Sequence, residues 1–284
     1  MVRARWSEIF RGRPELNTAF AFESVADELV YIAGSSLSVG LSVSLFPEAG
    51  VLASTLFLAI GSAAFILQRG TEPVVRPMQG PRSSAIMLRP VQLITFALIF
   101  IGAIFATAEV TTVAITKELG QPGAASLVIG VYAVGSFLVG VVVGALNLRL
   151  PLQRQLAIAI AVIALTTLPL LLADTVLTLA LAIFVSGVAV SPTFITAFGL
   201  IERRVPPALL TEGVTWVMTG IGIGMALGAF VAGWVIDTFG AHNGFWVSVA
   251  ASIIALLTVL LGQRTLRGDD CAAPAGAEVC EPAE

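Results

Sequence analysis

Three carboxylates, Glu23, Asp27 and Glu28, fall in AFAFESVADELVYIAG, a stretch that is otherwise apolar and continues apolar to Phe46. An ionisable side chain in such a run is costly to hold there, so it marks a functional position by default. Glu23 and Asp27 are four residues apart and would share a helix face, with Glu28 rotated about 100° from Asp27. Burial disfavours a charged carboxylate and raises its pKa, so the group can take up and release a proton as its surroundings change. Asp27 and Glu28 are therefore the leading proton-coupling candidates, followed by Glu23 at the start of the apolar run. The alternative is structural: Glu23 solvated at a membrane boundary, and Asp27 and Glu28 anchored by arginines of neighbouring loops.

A second group surrounds Glu109 in FATAEVTTVA. Glu109 lies nearer the outer end of its span, where its carboxylate suits a cationic group or a proton or else reaches the outer interface, and Thr107, Thr111 and Thr112 add hydroxyls, although threonine in a helix also bonds its own carbonyls. Glu109, Thr112 and Pro192 are the substrate-cavity candidates; Pro192 leaves a helix carbonyl without its donor, and the resulting break either lines a binding site or is a plain packing kink. Glu202 and Asp237 read as solvated span ends. Thr211 and Glu212 read as an N-cap and a first-turn carboxylate facing the helix dipole. In TGIGIGMALGAFVAGW the spacing Gly220, Gly224, Gly228, continued by Ala232, puts one small residue per turn on one face, which permits close helix approach in lipid. Gly140 and Gly144 repeat the pattern, and Gly34 belongs with these packing glycines. A dinucleotide loop is excluded because the run lies inside an apolar segment instead of following a strand.

These residues must be positioned by membrane helices. The chain has 284 residues, 57% hydrophobic and 12% charged, with mean hydropathy +0.96; soluble domains carry about 25% charged residues. A bilayer core needs roughly 20 apolar residues per helix, and eight such runs occur near residues 24–46, 49–67, 91–115, 124–146, 155–173, 175–200, 212–236 and 244–262. Fourteen of the 15 basic residues lie at one end of these spans, and only Lys117 is at the other. Because cytoplasmic loops collect Lys and Arg, this predicts an inner-membrane protein with both termini cytoplasmic. The net charge of −3 owes much to Asp269, Asp270, Glu278, Glu281 and Glu284 after the last span, and suggests no nucleic-acid partner. Cys271 and Cys280 share that tail, where thiols stay reduced and lack histidine partners for a metal. The single His242, with no zinc, nucleophile-elbow or Walker motif, argues against an enzyme, a metal site, a cofactor or ATP use.

Residues 1–16 read as a cytoplasmic amphipathic segment, with Trp6, Ile9 and Phe10 at helical spacing. Residues 17–68 hold two spans, 69–90 form a Pro- and Arg-rich linker, 91–262 hold six spans, and 263–284 are an acidic tail. The long linker before six spans resembles the major facilitator superfamily of secondary transporters, as do four local patterns. These are IAGSSLSVG, similar to the family's antiporter motif but with Gly34-Ser35 where Gly-Pro is usual; GALNLRLPLQR, in which Leu148 replaces the loop motif's Asp; SPTFITAFGLIERRVPPALLTEGVTW; and GWVIDTFG. The last two look like drug- and sugar-efflux members. The resemblance implies an all-α integral membrane protein with a partial fold, helices five to twelve of twelve. It further implies a secondary transporter exporting a drug- or sugar-like molecule with protons. On that reading the first four helices are missing, and residues 1–284 alone are expected to show no flux until upstream in-frame helices are restored. The alternative is a truncated, non-transporting membrane protein or fragment with at most an interaction role. Self-association is a second way to cover the exposed wall.

Overall fold

The computed structural model describes residues 2–10, 13, 15, 45–72, 84–145 and 150–267, with scattered positions from 19 to 42. The described elements are all helical. Short α1 (Val2–Ile9) comes first, then α2 (Ala49–Leu67), α3 (Arg89–Glu118), α4 (Ala124–Ala145), α5 (Leu152–Thr166), α6 (Val176–Gly187), α7 (Val190–Arg204), α8 (Leu210–Phe239), α9 (Phe245–Leu261) and short α10 (Gln263–Arg267). Among the described residues seven spans are long and apolar enough to cross a bilayer, with α6 and α7 together forming one of them, Val176–Arg204. The expected span at 24–46 lies largely outside the described residues.

Local chemistry sets the boundaries. Helix α3 opens with Pro90 in its first turn, where a missing N–H costs nothing. It closes before Gly120, whose φ of +71° suits glycine, and Gly240 at φ +93° ends α8 in the same way. Helix α6 starts in a capping box in which the Thr175 and Thr178 hydroxyls accept from each other's backbone N–H. One expectation fails at α8. The helix begins at Leu210 with Leu209 as N-cap and no side-chain cap, so Thr211 is already inside the first turn. The 3-10 turn Pro207–Leu209 draws the chain into helical geometry ahead of that threonine.

Helix α1 is tied to α2 by one side chain. Arg5 donates to the carbonyls of Phe65 (3.1 Å) and Gln68 (2.8 Å) and to the Thr71 hydroxyl (2.8 Å), with its guanidinium 3.9 Å from the centre of the Phe65 ring. The final carbonyls of a helix have no partners within it and carry partial negative charge, so a cation there satisfies both. Trp6 and Phe10 stack at 5.7 Å on the same short segment.

Residues 84–267 form a six-span bundle centred on α3. Of its most apolar 18-residue window 67% is buried, against 6% for α2, which marks α3 as the inner element and α2 as the outlier. The closest pairing is α3 with α8. Gly220, Gly224 and Gly228 are buried and face the α3 backbone at Thr95, Ile99 and Ala103, while Gly102 faces Ile221 in return. A methyl at Gly220 would lie 2.8 Å from the Thr95 carbonyl oxygen, and one at Gly224 would collide with that of Ile99.

The buried apolar side chains form two layers. One lies toward the arginine-bearing ends and includes Ile94, Leu98, Ile160, Leu200, Val259 and Leu266. The other lies toward the opposite ends and includes Ile115, Val128, Tyr132, Leu179, Ile183 and Phe245. Phe105 and Phe194 pack against both.

Candidate functional site

The middle of the bundle is where the two layers meet. Phe105 is near the midpoint of α3, Tyr132 near that of α4, and Phe194 follows the midpoint of the span Val176–Arg204 by about one turn. Phe105 meets Tyr132 edge-on at 5.6 Å and Phe194 face-on at 5.8 Å with 29° between planes. Phe194 stacks on Phe198, one turn further along α7, at 6.4 Å and 28°. Phe105, Phe194 and Phe198 are half-buried, whereas Tyr132 is 3% exposed.

Beside these rings the span is interrupted. Helix α6 ends at Gly187, Val188 and Ala189 form a turn, and α7 resumes at Val190. Pro192 lies in the first turn of α7 and offers no N–H to the Val188 carbonyl, which accounts for a break at that point. Close packing fits the break against α4. Gly187 sits on the Tyr132 backbone, Gly135 on Phe184 and Gly140 on Ser191, and the Ser136 and Ser191 hydroxyls hydrogen-bond at 2.8 Å.

Helix α7 differs from its neighbours on its open side. Each of the other helices from α2 to α9 carries large apolar residues that are well exposed, such as Phe57, Val113, Leu138, Ile158, Leu181, Phe230 and Leu257; α7 carries none. Its partly exposed positions are Ser191, Pro192, Phe194, Ile195, Phe198 and Gly199, with Glu202 and Arg203 exposed beyond them.

The threonines grouped around Glu109 in the sequence occupy two faces of α3. Phe105, Glu109 and Thr112 are spaced four and three residues apart and lie on one side; Thr107 and Thr111 lie on another. Thr111 abuts Gly244 at the start of α9. Thr107, Thr111 and Thr112 are fully buried, and their hydroxyl oxygens have no hydrogen-bond partner among the described residues. Thr116, one turn beyond Thr112, bonds instead to the Thr112 carbonyl at 2.9 Å. Glu109 is half-buried.

The other predicted positions are dispersed. Asp27 and Glu28 lie outside the described residues; Glu23 is helical and half-buried. Gly34 is exposed with open space around it, and Gly144 is near the end of α4. Glu212 accepts from the Ser84 hydroxyl, from the Ala85 backbone N–H and from Trp216 Nε1 at 3.3 Å, and so fastens the start of α8 to residues just before α3. Glu202 and Asp237 are exposed at helix ends. The aromatic cluster was not singled out from the sequence. Its signal is the pair Phe194 and Phe198, spaced four apart and so on one face of a helix.

These features define an all-helical, multi-pass membrane bundle with an interrupted span beside a mid-depth aromatic layer. The chain belongs to the Major Facilitator Superfamily, whose family model matches residues 93–275. It is similar to the uncharacterised MFS-type transporter Rv1877 of Mycobacterium tuberculosis (strain ATCC 25618 / H37Rv), 29% identical over 197 residues, which is 66% of this chain and 28% of that protein. The uncharacterised MFS-type transporter MT1926 of strain CDC 1551 / Oshkosh matches equally. The 4-hydroxybenzoate transporter PcaK of Acinetobacter baylyi (strain ATCC 33305 / BD413 / ADP1) is 30% identical over 77 residues, 27% of this chain and 17% of that protein. The chain thus aligns with under a third of the length of the curated relatives it matches. This family assignment removes the enzyme reading.

Proposed function

We propose that these residues are part of a proton-coupled secondary transporter that exports a small drug-like or sugar-like molecule across the plasma membrane. The observation that carries the reading is the layer at Phe105, Tyr132 and Phe194. There an interrupted span and half-buried rings come together at mid-depth, with Glu109 one turn beyond Phe105 on the same side of α3. Transporters of this general design hold substrate near the midplane, where discontinuous helices expose backbone groups. The name of the Acinetobacter relative supports a small organic solute.

In this proposal both termini are cytoplasmic, because the arginines gather at the ends that carry them. Asp27 or Glu28 carries the coupling proton, as carboxylates set within an apolar run. Residues 17–68 and 91–262 belong to opposite halves, joined by the linker at 69–90, with residues 1–16 and 263–284 as cytoplasmic segments. Lipid, protons and the solute are the partners, with self-association through the faces of the six later spans as a subsidiary proposal.

The test is efflux from cells producing the complete reading frame that contains these residues. Asp27→Asn or Glu28→Gln should abolish energised efflux while leaving the amount of protein in the membrane unchanged. Unaltered efflux in both variants would leave those carboxylates an anchoring role only.

A further inference from the structure

Buried threonines elsewhere in the bundle satisfy their hydroxyls on their own helix. Thr116 donates to the Thr112 carbonyl at 2.9 Å, Thr193 to that of Ala189 at 2.8 Å and Thr196 to that of Pro192 at 2.7 Å, each four residues back. Thr107 and Thr111 are as deeply buried, at 0% exposure, and make no such bond. The Thr111 hydroxyl stands instead against Gly244 at the start of α9. On α9 the Ser248 hydroxyl is in the same condition, fully buried and with no hydrogen-bond partner among the described residues.

The register of the two helices brings these three groups together. Helices α3 and α9 run antiparallel: Gly244 meets Thr111, and Gly262, just past the end of α9, meets the Leu93 side chain. Thr111 and Leu93 are 18 residues apart, as are Gly244 and Gly262, so one register holds along the interface. Four residues into α9 from Gly244 is Ser248, and four residues back along α3 from Thr111 is Thr107, which puts the two level. Ser248 thus comes beside Thr107 with Thr111 one turn away, yet no two of these hydroxyls bond to each other. One turn further along α9 the Ser252 hydroxyl is satisfied, donating to the Val249 carbonyl at 2.8 Å and lying 3.5 Å from that of Thr167.

We propose that Thr107, Thr111 and Ser248 bind an internal water molecule that joins α3 to α9. A buried water makes about three hydrogen bonds, to polar groups that the protein leaves unpaired, and three hydroxyls from two helices supply that number. Each hydroxyl both donates and accepts, so one water can serve all three. A cation is the competing ligand, since hydroxyl oxygens also coordinate sodium. Burying an ion demands a countercharge, and the group has none among the described residues: Glu109 is on another side of α3, and Glu118 accepts from the Ala241 backbone N–H at 3.3 Å. A transported solute would need an opening, and all three positions are closed, as are Ala251, Ser252 and Ala255 beyond them on α9.

The test is a structure of the full chain in lipid at a resolution that shows ordered solvent, with sodium and then potassium as the only buffer cation. A density peak should lie about 2.6–3.0 Å from at least two of the three hydroxyl oxygens, equal in both salts. It should vanish when Thr107→Val and Ser248→Ala are combined. Thermal unfolding supplies a second readout. Each of those two variants should lower Tm by about 2–4 °C, and the pair by less than the sum, because the first change already loosens the water that the second would release. Thr193→Val is the control: its hydroxyl bonds within its own helix, so its effect should add to that of Ser248→Ala. Hydroxyls of Thr107 and Thr111 folded back onto α3 carbonyls, with no peak between the helices, would overturn the proposal. Additive Tm changes for Thr107→Val and Ser248→Ala would do the same, and a peak that changes with the salt would identify a cation in place of water.

Discussion

Substituting Gly224 tests the architecture that places the site, because α8 can approach α3 only where it has no side chain. A methyl at Gly224 would collide with the Ile99 carbonyl oxygen and come within 3.0 Å of the Ile99 Cα atom, against a normal carbon contact of about 3.5–4.0 Å. Both obstacles are backbone, so no rotamer change relieves them. The helices must part by something on the order of 1 Å over an interface that also holds Gly220 and Gly228. Overpacking of this kind costs about 1–3 kcal/mol. For a chain this size each kcal/mol corresponds to roughly 2–4 °C in Tm, so Gly224→Ala should lower the melting temperature by about 2–12 °C. Gly222 provides the control within the same helix, since a methyl there meets nothing within 4 Å. Gly222→Ala should be neutral or stabilising by about 0.5–1 kcal/mol, because alanine has the better helix propensity. The assay is thermal unfolding of the detergent-purified protein followed by fluorescence-detected size exclusion. Equal melting temperatures for the two variants would refute the α3–α8 packing.

Two further outcomes follow from the ends of the bundle. Glu212→Ala removes the acceptor shared by Ser84, Ala85 and Trp216, so amide exchange over residues 84–88 should speed up while exchange in the middle of α8 stays slow; unchanged exchange would show that this contact does not hold the segment. In a variant without Cys271 and Cys280, single cysteines at Arg76 and Arg267 should resist an impermeant thiol reagent in intact cells and one at Asn243 should be labelled, whereas labelling of the first two would reverse the orientation.

The spans were readable because hydrophobic length is a strong signal in a membrane protein. Residues 49–67 coincide with α2, and the runs from 91 to 262 each became a membrane-length helix or helix pair. The one-per-turn glycines could be placed on a face for the same reason, since helical spacing depends on sequence alone. Thr211 was misplaced as a cap because the 3-10 turn before it depends on how Leu209 packs in the bundle. The threonines near Glu109 separate onto two faces, which the 100° rotation per residue already contains and which their closeness in sequence obscures. The aromatic layer was hidden for a different reason. Phe105, Tyr132 and Phe194 are far apart in the chain, and in a sequence with 16 phenylalanines no pattern of spacing says which ones meet.

Proton-coupled transport is tested most directly on the complete reading frame containing these residues, reconstituted into liposomes with a pH-sensitive dye in the lumen. Adding ethidium, as a drug-like probe, or sucrose, as a sugar probe, should start a proton movement that the Asp27→Asn and Glu28→Gln pair of variants loses, and an imposed pH gradient should drive the solute in the reverse sense. Solute movement with no accompanying proton flux, insensitive to the gradient and unchanged in both variants, would contradict it.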